Sequence, residues 1–206
     1  MDLAELLPAI ELITNNPLIN DLRAITYLAT YPSIRALGTT SGEFSLARFH
    51  QIATMAYGWM PRIVRLDPDF VEHALAASVA AQAATPETFA TIPMSVIASC
   101  LHSVVGASKV LHFVNPAVFP IWDSSIEQFR LHGEASNAHM NDVAKYLEYA
   151  EEVHRIRAEA AFPNFFAQFN AALKSRLTAL GIEPYDISEV RAIESAAFEL
   201  SHRSGA

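Results

Sequence analysis

Apolar residues recur along this chain at intervals of three and four, with no useful stretch of strict alternation, a pattern that predicts helices and no strands. Residues 2–14 set the pattern with Leu3, Leu6, Leu7, Ile10 and Ile13, and Asn15-Asn16-Pro17 ends it. Leu18, Leu22, Ile25 and Leu28 predict a second helix over residues 18–31, which Pro32 closes ahead of a loop at Gly38-Thr39-Thr40-Ser41-Gly42. Ser45 is the expected cap of a helix over residues 46–57, after which Gly58 and Met60-Pro61 break the chain. Asp67, with Pro68 at the first helical position, opens an alanine-rich helix to Ala84 with alanine on several faces. Thr85-Pro86-Glu87 starts a short helix, and a further one spans residues 94–104.

Residues 136–161 predict one long helix whose charges alternate in sign, as on a solvated face. Phe162-Pro163 interrupts it. Phe165, Phe166, Phe169, Leu173, Leu177 and Leu180 mark another helix, stopped by Gly181 and Pro184, and Ser188 opens a last one through Ile193, Ala197 and Leu200. The expected fold is all-α: a compact multi-helix protein forming a single domain over residues 1–206, with any subdivision near residues 85–93. Val96, Leu101, Leu111, Phe113, Phe119, Ile121 and Phe129 are its expected central core.

Composition supports a folded domain, with 206 residues, 51% of them hydrophobic and 17% charged. Cys100 is the one cysteine, so no internal disulfide can form. With neither a signal-like start nor an apolar run of about 18 residues, a cytoplasmic location and no membrane partner are expected. The formal charge is −8. Over residues 61–135, four cations (Arg62, Arg65, Lys109, Arg130) stand against seven carboxylates, a local charge of −3. That balance argues against strong non-specific nucleic-acid binding, which needs a clustered positive surface.

One stretch departs from plain helical patterning: residues 104–129, VVGASKVLHFVNPAVFPIWDSSIEQF. The helix over 94–104, a turn at Val105-Gly106-Ala107 and a helix over 108–114 form a central helix-hairpin-helix pattern, with glycine where the turn needs conformational freedom. Asn115-Pro116 stops the second helix, and Phe119-Pro120-Ile121-Trp122 crosses as an extended segment. Asp123 or Ser124 then caps a helix, Ser124 and Glu127 fitting a capping box.

In this order, Gly106, Lys109, Pro120 and Asp123 resemble the signature of the helix-hairpin-helix DNA glycosylases, the superfamily of 8-oxoguanine DNA glycosylase and endonuclease III. The resemblance is confined to the central stretch. It implies excision of a damaged base, with DNA as partner and no cofactor. Asp123 would stabilise oxocarbenium character at the sugar and orient water, while Lys109 would supply an amine for a Schiff base. The amides of Gly106, Ala107 and Ser108 would hold a phosphate, and Trp122, Phe119 or Tyr57 would stack on an extruded base. Three features differ from the family pattern. A valine replaces the first hairpin glycine, the crossing is shorter, and Lys109 stands one position late, a rotation of about 100° on a helix.

Each residue also has a structural role open to it. Asp123 is a routine helix cap, Lys109 a surface charge, His102 and His112 structural histidines, and Cys100 a small buried residue. No metal-ligand spacing, P-loop, Rossmann fingerprint or nucleophile elbow is present. The alternative function is a non-catalytic helical module that binds nucleic acid, nucleotide or protein, and the acidic charge favours a protein partner.

Overall fold

In the computed structural model, which describes residues 1–16, 18–40, 42–60 and 62–201, every regular element among the described residues is helical. In chain order these are α1 (Leu3–Leu6), α2 (Pro8–Asn15), α3 (Leu22–Thr39), α4 (Leu46–Gly58), α5 (Val71–Gln82), a 3-10 turn over Phe89–Thr91, α6 (Met94–Leu101), α7 (Val104–Val114), α8 (Ser124–Leu131), α9 (Asn137–Met140), α10 (Val143–Arg157), α11 (Phe162–Ala179) and α12 (Glu189–Ser201). Pro17, Ser41 and Pro61, expected at breaks, lie outside the described residues. The chain divides into two compact units, and residues 85–93, the expected place for a subdivision, lie inside the second.

The first unit comprises Met1–Pro32, Asp123–Ala135 and Glu151–Ala206. In it α2 packs on α11 and α12, and α8 packs on α12. Leu6, Ile13, Phe165, Phe169, Leu177 and Ile193 fill the interior. Arg176, buried on α11, donates to the carbonyls of Leu12 and Ile13 at the end of α2, and pairs with Glu199. It thereby satisfies acceptors that a helix C-terminus leaves open.

Pro32 does not close a helix as expected; α3 continues through it. Proline removes the amide that would bond the carbonyl four residues earlier. That carbonyl, Leu28 O, instead accepts the hydroxyl of Tyr185 at 2.9 Å, and the Tyr185 ring stacks on Tyr31 at 5.8 Å.

The second unit comprises Ser33–Trp122 and Ser136–Ala150. Here α7 packs against α4, α5 and α6 and is buried on every side from Gly106 to Val114, its polar Ser108, Lys109 and His112 included. Gly38 lies against its C-terminal end, where a Cβ would stand 1.7 Å from Phe113 O. The Asn115 amide donates to Ala81 O and Ala84 O, tying the end of α7 to the end of α5.

Several boundaries differ from the sequence expectation. α5 begins at Val71 rather than Pro68, because Asp67 is held by its amide to Cys100 O (2.9 Å) and spends its carbonyl on a turn to Phe70. The long helix expected over 136–161 is broken at Asn141-Asp142, where Asp142 accepts Ala144 N. Phe162-Pro163 begins α11 rather than interrupting a helix, with proline in the first turn where its missing amide costs nothing. The caps at Ser45 and Ser188 accept Arg48 N and Arg191 N as expected. Leu101, Leu111, Phe113, Phe119 and Ile121 are buried, whereas Val96 and Phe129 are half-buried.

Candidate functional site

α6 and α7 are joined by a tight turn and differ in direction by 120°, but the turn lies at His102-Ser103 rather than at residues 105–107. His102 takes the left-handed conformation (φ 50°) that ends α6, and the Ser103 Oγ caps α7 by accepting Gly106 N at 3.0 Å. Gly106 is thus inside the first turn of α7. Its lack of a side chain answers a packing need: a Cβ there would stand 2.8 Å from the Tyr57 hydroxyl and 2.9 Å from its ring. Burial pushes the Tyr57 phenol above its ordinary pKa, and its hydroxyl donates to Leu101 O at 2.5 Å.

This geometry corrects the phosphate-binding expectation. Gly106 N is taken by Ser103 Oγ, Ala107 N by Ser103 O, and Gly106, Ala107 and Ser108 are all buried. No amide of this group faces outward to receive an anion.

The crossing from Phe119 to Trp122 is buried without being helical, so its backbone polar groups need partners from elsewhere. Side chains on two helices supply them. From α7, Ser108 Oγ accepts Trp122 N at 3.1 Å, and one turn later His112 Nδ1 donates to Phe119 O at 2.8 Å. From α10, the hydroxyls of Tyr146 and Tyr149 donate to Pro120 O and Ile121 O, both at 3.2 Å. Phe119 and Trp122, expected to stack on a base, are core residues with 1% and 0% of their surface exposed, and Trp122 packs against Tyr146 and His139. Neither ring presents a face to a ligand.

Lys109 is buried in α7 and is not the surface charge its sequence context allowed. It belongs to the second unit, and Asp123 to the first. Asp123 is the N-cap of α8, its Oδ1 accepting both Ser125 N and Ile126 N at 3.0 Å. The capping box expected of Ser124 and Glu127 is not formed. Glu127 is fully buried and binds the Arg130 guanidinium two-pronged, while Arg130 also reaches Glu152 at 3.1 Å. Glu127 accordingly holds the Arg130 guanidinium even further above the usual range of its pKa.

The outward side of α5 offers a different kind of surface. Ala74, Ala77, Ser78 and Ala81 face the core, yet Ala76, Val79, Ala80 and Ala83 are exposed, Val79 at 45%. Beside them runs a shallow, open groove bounded by Glu43, Phe44, Glu72, Leu75, Ala76 and Val79. Among the described residues no group of His, Cys, Asp or Glu could hold a metal ion, and no single helix is long and apolar enough to cross a membrane. No protein-family model, curated protein or solved structure matches the chain.

Proposed function

We propose that this chain is a non-catalytic helical docking module that binds a protein partner across the outer side of α5, with the stretch at residues 104–129 as its internal scaffold. The observation that carries this is the two-sided apolar character of α5. A surface helix normally turns a polar face outward, and a contiguous exposed apolar face marks an interaction surface. From residue 74 to residue 81 α5 has no charged side chain, and its outward positions are alanine and valine. The net charge of −8 favours protein over nucleic acid as the partner.

The test is a methyl NMR titration of the full chain with a helical amphipathic peptide. Docking predicts saturable shifts at the Leu75 and Val79 methyls, which Val79→Glu abolishes without lowering the melting temperature, since Val79 is half-exposed. Shifts mapping elsewhere, or none, reject the docking role.

Base excision is the second reading, and one observation favours it. Both cap bonds of Asp123 go to Oδ1, so Oδ2 of this half-exposed carboxylate accepts no hydrogen bond among the described residues. An available carboxylate oxygen is what stabilisation of a cationic sugar requires.

A further inference from the structure

We propose that the groove beside α5 takes a basic amphipathic helix, a segment of a partner protein that lays apolar side chains on Leu75, Ala76 and Val79 and directs lysine or arginine to Glu43 and Glu72. The inference rests on the docking role above and names the class of partner.

Charge indicates the sign of the occupant. Glu43 and Glu72 are exposed on the groove's border, and neither makes an ion pair among the described residues. Arg48, five residues after Glu43, is engaged elsewhere: its guanidinium donates to Thr40 O at 3.2 Å and lies 5.9 Å from the centre of the Phe44 ring. His73, also exposed, adjoins Glu72 in sequence. Two unpaired carboxylates flanking an apolar floor complement a ligand that is apolar along one stripe and cationic beside it.

Shape indicates the occupant's backbone. No strand exists among the described residues, so an extended peptide has no sheet edge to extend. The exposed face of α5 instead offers Leu75 and Val79 as a ridge four residues apart, next to the small side chains of Ala76, Ala80 and Ala83. Ridges of this spacing interlock with the ridges of another helix, and alanine allows close approach of the two backbones. From Glu72 to Val79 the face spans about 10 Å along the axis, which matches anchors at i, i+3 or i+4, and i+7 of a partner helix.

The experiment uses the full chain and matched helical peptides with identical apolar stripes, whose flanking positions are all lysine, all glutamine or all glutamate. Dissociation constants are read by fluorescence anisotropy at low and at physiological salt. The lysine peptide should bind about tenfold more tightly than the glutamate peptide at low salt, with the gap narrowing as salt rises. Glu43→Lys with Glu72→Lys should reverse that order and leave the glutamine peptide unchanged. Equal affinity for all three peptides overturns the basic-helix inference and leaves the docking role standing. Binding of none, or binding insensitive to Val79→Glu, removes both. Sedimentation of the chain alone supplies the remaining arm: a dimer that Val79→Glu converts to monomer assigns the face to a second copy and overturns the inference.

Discussion

Gly106 has a neighbour, Tyr57, that no local reading could bring to it. In sequence it looks like a turn glycine, because it stands between two apolar helical segments. In the fold it sits in the first turn of α7, where the Tyr57 ring occupies the space of a side chain. Gly106→Ala should therefore destabilise the protein by about 1–3 kcal/mol through overpacking, even though alanine is the better helix former by about 1 kcal/mol. Urea denaturation measures the difference, and a gain in stability would show that Tyr57 moves aside at no cost. Asp123 is the opposite case. Its role as a cap was legible because the motif is local, an acceptor followed by the amides it binds. Ser103, the cap of α7, carries the same kind of local signal, but it is absent from the expectation, which placed the turn at Val105-Gly106-Ala107.

At the scale of elements, hydrophobic spacing located the helices well and proline misled at α3. Whether a helix survives a proline depends on what takes the orphaned carbonyl, and Tyr185 lies far along the chain from Leu28. The pairing makes a quantitative prediction. Tyr185→Phe should cost about 1 kcal/mol, the net worth of one hydrogen bond. In a Pro32→Ala background, where a restored amide can bond Leu28 O, the same change should cost less. Equal costs in the two backgrounds, measured by a double-mutant cycle, would mean that the hydroxyl does not substitute for the missing helix bond. The crossing at residues 119–122 teaches a similar lesson. Its apolar sequence predicted burial, but the tyrosines of α10 that satisfy its carbonyls look in sequence like ordinary helix residues.

At the scale of the molecule, the all-helical class followed from periodicity and composition together. The division into two units did not, because the first unit gathers both ends of the sequence and a short central segment. Nor could periodicity say which side of α5 faces outward, since that helix is nearly as apolar on one side as on the other. The residues to which the glycosylase resemblance assigns phosphate-binding and base-stacking roles are engaged within the fold: Gly106 by Tyr57, Ala107 and Ser108 by the α7 cap and the crossing, Phe119 and Trp122 by the core. Asp123 is the residue on which scaffold and enzyme make opposite demands. As a cap it tolerates asparagine at a cost of about a few tenths of a kcal/mol; as a charge that stabilises a cationic sugar it does not tolerate asparagine at all. A melt paired with a single-turnover excision assay, on duplexes carrying oxidised, deaminated and alkylated bases, separates them. A scaffold gives nearly equal melting temperatures for wild type and Asp123→Asn, with every duplex left intact by both. Excision by the wild type that Asp123→Asn abolishes at unchanged stability would contradict the docking role and make the central stretch an active site.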